Sequence, residues 1–180
     1  MKQVSIAGLI SFVTLFLGFA SAHANDLKVG DTAPGFELVN QFGDVVSLQS
    51  QQGKWVVLYF YPKNDTPGCT TEACSFRDNI NALIAKQAVI LGVSVDDKAS
   101  HKAFAEKYNL PFSLLADENA VVAGQYGALL DLKVIKFAKR HSFIIDPQGT
   151  IVKIYRNVDP QAHVRDVMDD LKKLQAMATL

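Results

Sequence analysis

Short runs of apolar residues alternate with amphipathic segments along most of the chain, and this alternation predicts an α/β fold. A continuous run of β-branched and aromatic residues at 55–61 predicts a strand buried on both faces, and the run stops at Pro62. Apolar positions then recur at helical spacing over 70–86, which predicts a helix. The same reasoning predicts a strand at 88–95, a helix at 100–108, a strand at 113–116 and a short helix at 119–126.

Further strands and a final helix flank this alternating unit. Residues 26–52 contain two short apolar stretches around Gly43-Asp44, a pattern typical of a β-hairpin that caps the domain. Strands are expected at 141–145 and 150–155 around an Asp-Pro-Gln-Gly turn, and a C-terminal amphipathic helix follows near Val164. The predicted architecture is a mixed central β-sheet with helices on both faces and an N-terminal β-hairpin.

The N-terminal segment differs from the rest of the chain. A basic residue precedes an uncharged apolar run over 4–20, and small residues follow it. This pattern is typical of a secretory signal peptide cleaved after Ala24, so residues 1–24 are expected to be a leader and 25–180 one domain. An uncleaved membrane anchor is the alternative, because the apolar run is near the length that spans a bilayer. A leader predicts a periplasmic or otherwise exported protein, with no stable membrane association after cleavage.

Charge and metal-ligand spacing exclude several classes of function. The 18 basic and 18 acidic residues balance, so no overall positive field exists to hold nucleic acid. His101, His141 and His163 show no metal-ligand spacing and are expected to be surface or core residues. With only two cysteines, a closed structural zinc site lacks support. No metal or other cofactor is therefore expected.

The two cysteines, Cys69 and Cys74, carry the candidate chemistry. In an exported protein an even number of cysteines usually indicates a structural disulfide, but a bridge across five residues closes a very small loop and stabilises little. Cys69 lies at the predicted start of a helix. Unpaired N–H groups and the helix dipole there favour a thiolate and stabilise the charge that develops on a peroxide oxygen. The alternative is that Cys69 is a buried apolar side chain.

The sequence around Cys69 resembles a known active site. Pro62, Thr66 and Cys69 form a Pro-x-x-x-Thr-x-x-Cys pattern similar to the signature of the peroxiredoxins. The segment Thr-Pro-Gly-Cys-Thr-x-Glu-x-Cys-x-Phe-Arg-Asp at 66–78 resembles the bacterioferritin comigratory protein, or peroxiredoxin Q, branch. The similarity also includes residues 58–63, 92–96, 110–112 and 140–146. This resemblance implies a thioredoxin-like fold of the AhpC/TSA type and a peroxidase that reduces hydrogen peroxide and organic hydroperoxides to water and alcohols.

The resemblance also implies a role for each site residue. Cys69 would be the peroxidatic thiolate, and Thr66 and Arg140 would hydrogen-bond the peroxide and the thiolate. Pro62 would shield the pocket from water. Cys74 would close an intramolecular disulfide that a thioredoxin-like or other thiol donor reduces, so a monomer is expected. Taken alone, Arg140 is one of a series of solvated basic residues, Thr66 a helix cap, Pro62 a strand terminator and Cys74 a core cysteine.

Helical geometry adds a mechanical prediction about Cys69 and Cys74. Cα atoms five residues apart in an intact helix are about 8–9 Å apart, whereas a disulfide requires less than about 7 Å. The first turns must therefore unwind once Cys69 is a sulfenic acid. Two other functions stay open. A thiol-disulfide oxidoreductase usually carries Cys-x-x-Cys rather than this Cys-x₄-Cys spacing, and a non-catalytic secreted binding domain would tolerate the loss of Thr66 or Arg140.

Overall fold

Nine strands and five α-helices make up the part of the chain that the computed structural model describes, residues 27–178. In chain order they are β1 (Glu37–Asn40), β2 (Val45–Ser47), a 3₁₀ turn (Gln49–Gln51), β3 (Trp55–Phe60), α1 (Pro67–Asp78), α2 (Ile80–Ala85), β4 (Ala88–Ser94), α3 (Lys98–Tyr108), β5 (Ser113–Ala116), α4 (Val121–Gln125), β6 (Leu129–Asp131), β7 (Lys136–Ala138), β8 (Ser142–Ile145), β9 (Ile151–Tyr155) and α5 (His163–Ala178). The predicted leader, residues 1–24, lies outside the described residues.

Seven strands form one mixed sheet in the order β2-β1-β5-β4-β3-β8-β9. The pairs β3–β4 and β4–β5 are parallel, and the other neighbours are antiparallel. The predicted N-terminal hairpin is present as β1 and β2, but it extends the edge of the sheet through β5 instead of capping the domain. Within residues 27–178, no helix is both long and apolar enough to cross a membrane.

Two apolar layers cover the two faces of this sheet. All six residues of β3 are buried, and they alternate between the layers, with Val57 and Tyr59 in one and Val56 and Leu58 in the other. The first layer contains side chains of α1, α2, α3 and α5, and the second contains side chains of α4 and β7. A strand covered on both faces has no solvent-facing positions, which explains the continuous apolar run at 55–60.

Two elements differ from the sequence prediction. The single helix expected over 70–86 is divided into α1 and α2 at Asn79, whose backbone leaves the helical region at φ −107° and ψ 9°. The Asn79 amide donates to the Ser75 carbonyl at 2.9 Å, a local bond of the kind that competes with helix continuation. The hairpin of β6 and β7 was not predicted, because its strands have three residues each and its exposed positions do not alternate clearly.

Candidate active site

The loop after β3 leads directly into the first turn of α1, where Cys69 lies. Thr66 is the N-cap residue, and Pro67 occupies the first helical position, where a missing N–H costs no hydrogen bond. Cys69 is 1% exposed and belongs to the same buried cluster as Tyr59 and Phe76. The structure therefore places the Cys69 sulfur at a helix N-terminus, as expected from the sequence, and at the edge of an apolar layer.

A buried polar network anchors the loop that precedes α1. The Asn64 backbone N–H donates to the Asp96 carboxylate at 2.9 Å, and its side-chain amide donates to the Ser100 hydroxyl at 2.9 Å. The Tyr61 hydroxyl donates to the Asn64 side-chain oxygen at 2.9 Å. Burial lowers the pKa of His101, so its neutral ring accepts from the Asn64 amide at 3.2 Å. The network fixes the loop against the end of β4 and the start of α3.

Arg140, just before β8, brings a positive charge to Cys69. Its Nη2 lies 3.3 Å from the Cys69 sulfur, and its Nη1 lies 2.5 Å from Oε2 of Glu72. Burial acts to lower the pKa of Arg140, but the charges of Glu72 and Cys69 outweigh it and raise that pKa above its usual value. A Cβ at Gly68 would lie 3.1 Å from Nη2 of Arg140. Gly68 therefore makes room for the guanidinium, which stays charged beside the thiol.

Glu72 and His163 lie behind Arg140. Glu72 has no exposed surface, and its Oε1 is 2.8 Å from Nδ1 of His163, a residue that is 2% exposed. The motif resemblance implies that Glu72 positions the arginine, although the helix dipole alone would explain an acidic residue near the start of a helix. The structure shows a buried carboxylate joined to two basic side chains. The Thr-x-Glu-x-Cys pattern was the available signal for Glu72. No local pattern identifies His163, because its partner is 91 residues away in the chain.

Thr66 and Pro62 occupy the approach to α1. The Thr66 hydroxyl makes no capping bond to the helix and donates instead to the Lys63 carbonyl at 3.0 Å. Because a hydroxyl has two lone pairs and one proton, the Thr66 oxygen keeps its capacity to accept a hydrogen bond. Pro62 is half-buried and directly follows the last buried residue of the β3 run, Tyr61. The structure thus rules out the helix-capping role for the Thr66 side chain.

Cys74 lies five residues beyond Cys69 in the same helix. Cys74 is half-buried, both thiols are free, and α1 is continuous from Pro67 to Asp78. In a helix of this length the two Cα atoms are about 8–9 Å apart, too far for a disulfide. The continuous helix therefore holds Cys74 away from its expected partner.

His141 is adjacent to Arg140 in the chain, but its buried side chain contacts Arg156 and not the Cys69 site. Nδ1 of His141 is 3.0 Å from a guanidinium nitrogen of Arg156, and burial together with that charge lowers the pKa of His141 to about 4. A neutral ring can accept this hydrogen bond. Among residues 27–178, no group of His, Cys, Asp and Glu side chains is arranged to hold a metal ion.

A buried thiol at a helix N-terminus, touched by a guanidinium and carried on a thioredoxin-like sheet, defines a class of protein, the thiol-dependent peroxidases. The sequence matches the AhpC/TSA family over residues 29–154, and the chain belongs to that family. Within the family it belongs to the branch of the bacterioferritin comigratory proteins and peroxiredoxins Q. It is a peroxiredoxin-type oxidoreductase that acts on peroxides and needs a thiol reductant.

Two bacterial relatives of this branch match the chain over nearly their whole length. The chain is 44% identical over 149 residues to a putative peroxiredoxin Bcp of Coxiella burnetii, covering 81% of this chain and 99% of the relative. It is 41% identical over 156 residues to peroxiredoxin Bcp of Bacillus subtilis, covering 82% and 97%. The crystal structure of peroxidoxin BcpB from Mycobacterium tuberculosis superposes with a TM-score of 0.78 at 33% identity, covering 82% of this chain and 98% of that one.

Proposed function

We propose that Cys69 is the peroxidatic thiolate of this peroxidase and that Arg140 stabilises both the thiolate and the departing oxygen. The observation that carries this assignment is the 3.3 Å contact between Nη2 of Arg140 and the Cys69 sulfur. A permanently charged guanidinium favours the ionised thiol beside it. The thiolate is the nucleophilic form of cysteine, so a positive charge in contact with the sulfur supports the proposed role of Cys69.

In the first step the Cys69 sulfur attacks the terminal oxygen of a hydroperoxide. A sulfur–oxygen bond forms, the oxygen–oxygen bond breaks, and the sulfur loses the two electrons that the peroxide gains. The departing alkoxide or hydroxide takes up a proton and leaves as alcohol or water. Donors at the helix N-terminus and Arg140 stabilise the negative charge on that oxygen as it develops. The Thr66 hydroxyl accepts the hydrogen of the bound peroxide, and Pro62 shields the reacting atoms from water.

In the second step Cys74 resolves the sulfenic acid on Cys69. The Cys74 sulfur attacks the Cys69 sulfur, the sulfur–oxygen bond breaks and water leaves, which gives an intramolecular disulfide. The first turns of α1 unwind in this step, because the intact helix holds the two thiols too far apart. A thioredoxin-like dithiol then supplies two electrons and two protons and restores both thiols. A monomer suffices for this cycle, since both cysteines belong to one chain.

A stoichiometric measurement tests the proposed cycle. The reduced protein without its leader is mixed with one equivalent of hydrogen peroxide, and peroxide, free thiols and protein mass are measured. We expect one peroxide and two thiols to disappear together, with a mass loss of two hydrogens from an intramolecular disulfide. Peroxide left untouched, together with exchange between Cys69 and protein disulfides, would favour the thiol-disulfide oxidoreductase instead.

The proposed cycle takes place outside the cytoplasm. Residues 1–24 have the sequence features of a cleaved leader, so an exported or periplasmic thiol carrier is the expected electron donor. The N-terminus of the exported protein, read by sequencing, is expected to begin at Asn25. A chain that keeps Met1 and sediments with membranes would contradict cleavage and favour the uncleaved anchor.

A further inference from the structure

We propose that His163 is a positioning residue of the peroxidase centre. Its Nδ1–H holds the buried carboxylate of Glu72, and Glu72 in turn fixes the guanidinium of Arg140 against Cys69. This inference rests on the proposed roles of Cys69 and Arg140 and extends them to a residue on the last helix of the chain.

Three polar contacts connect His163 to Cys69 through Glu72 and Arg140. Nδ1 of His163 lies 2.8 Å from Oε1 of Glu72, and Oε2 of Glu72 lies 2.5 Å from Nη1 of Arg140. The second terminal nitrogen of the same guanidinium, Nη2, lies 3.3 Å from the Cys69 sulfur. Because the guanidinium is planar and rigid, fixing Nη1 on the carboxylate fixes the direction of Nη2. His163 therefore controls the orientation of Arg140 through both oxygens of Glu72.

The direction of the hydrogen bond follows from the partners. An ionised carboxylate only accepts, so the proton shared with Glu72 belongs to Nδ1 of His163. Nε2 of His163 is buried and has no hydrogen-bond partner among residues 27–178. The rings of Phe76 and Tyr155 pack edge-on against the imidazole, each with a centroid separation of 5.4 Å. Among residues 27–178, the hydrogen-bond partner of the imidazole is therefore the Glu72 carboxylate, in otherwise apolar surroundings.

Burial makes Glu72 dependent on His163. The Glu72 side chain is fully buried, so water does not replace a lost partner at Oε1. A buried charged oxygen without a partner is strongly disfavoured. Without the Nδ1–H, Glu72 either rotates toward Arg140 or takes up a proton. Either response changes the hold on the guanidinium and weakens its contact with Cys69.

Docking of α5 does not require this polar contact. The buried residues of α5 besides His163 are Val164, Val167 and Leu171, and all three belong to the apolar layer that contains α1. These side chains supply the apolar burial that holds the helix to the sheet. A histidine aimed at a buried carboxylate is therefore explained by what it does to Glu72 and not by the packing of α5.

Two substitutions of His163 separate the hydrogen bond from the bulk of the ring. The amide nitrogen of Asn overlays Nδ1 of histidine, so His163→Asn keeps the donor, whereas His163→Leu removes it. Val167→Ala is the matched control, since it truncates a buried apolar residue one turn along α5 and removes no hydrogen bond. The first readout is the second-order rate constant of peroxide reduction. The second is the rate of Cys69 alkylation by iodoacetamide at pH 7 divided by the rate at pH 9.5. The alkylation rates are measured in a Cys74→Ser background.

We expect His163→Leu to lower the peroxide rate by about tenfold or more, the effect of losing a hydrogen bond to a charged group. The alkylation ratio should fall with it, because less of Cys69 is thiolate at pH 7. His163→Asn should restore both readouts, and Val167→Ala should lower the melting temperature but leave both unchanged. In a Glu72→Gln background the further effect of His163→Leu should vanish, since the two residues act as one unit.

Three results would overturn the role of His163: wild-type values for His163→Leu, equal losses in the Leu and Asn variants, or an undiminished effect of His163→Leu when Glu72 is already Gln. The alkylation ratio needs no peroxide. A wild-type protein that does not reduce peroxide would therefore refute the proposed function. The alkylation ratio would still decide whether His163 orients Arg140.

Discussion

Cys69→Ser is expected to lower peroxide reduction by about 10³-fold or more, because removal of a catalytic nucleophile leaves only the binding groups of the site. A serine hydroxyl beside Arg140 stays protonated at neutral pH and does not attack the oxygen–oxygen bond. Stopped-flow measurement of peroxide consumption by the reduced variant checks the result. Wild-type consumption by Cys69→Ser would show that another group attacks the peroxide.

Cys74→Ser is the matched control, since it removes the other thiol of the same helix. This variant should react with the first equivalent of peroxide at the wild-type rate and then stop with Cys69 as a sulfenic acid. Dimedone labelling followed by mass measurement detects that acid on Cys69. A slow reaction of Cys74→Ser with the first equivalent of peroxide would contradict the roles proposed for the two cysteines. A resolving thiol acts only after the peroxide bond has broken.

Helix α1 has two requirements that oppose each other. It carries Cys69, Glu72 and Cys74, and the contacts of Glu72 with Arg140 and His163 hold its first turns in place while Cys69 awaits peroxide. The same turns must open before Cys74 reaches Cys69. The free energy of local unfolding of α1 therefore governs disulfide formation. The contacts of Glu72 with Arg140 and His163 serve the earlier attack on peroxide. Weakening these contacts of Glu72 should slow the attack on peroxide and make the unwinding of α1 easier.

The parts of the fold and site that were predictable depend on local signals. The run at 55–60 is apolar on every residue because both faces of β3 are covered, and this pattern is visible without a structure. Cys69, Thr66 and Pro62 lie within eight residues of one another, so a single motif contains them. Their placement at the start of α1 follows from Pro67 and the preceding loop.

Contacts between distant segments leave no local signal in the sequence, and Arg140 was assigned to the site from the family resemblance. The contact of Arg140 with Cys69 spans 71 residues, and that of His163 with Glu72 spans 91. Neither is encoded in a local period, and without the resemblance Arg140 looks like a solvated cation. The break in the helix at Asn79 was not predicted either, although its cause is local. It is set by one side-chain bond to Ser75, while the apolar spacing continues through it.

Arg140→Met is expected to lower the second-order rate of peroxide reduction by about 10²- to 10³-fold, the usual effect of removing one charged donor to a developing oxyanion. Arg140→Lys should recover little of this loss, because one ammonium does not contact Glu72 and Cys69 simultaneously as the guanidinium fork does. Thr66→Val removes an uncharged acceptor and should cost less, about tenfold. The measurement is the rate constant at several peroxide concentrations at pH 7.

Lys139→Met provides the control for charge alone, since Lys139 is exposed and adjacent to Arg140 in the chain. An exposed charge is screened by salt, whereas a half-buried guanidinium at 3.3 Å from sulfur is screened much less. We therefore expect Lys139→Met to keep the wild-type rate at 0.15 M salt, while the loss in Arg140→Met persists as salt is raised. Equal losses in the two variants, or a loss that salt removes, would mean that Arg140 acts through the general field and not through its contact with Cys69.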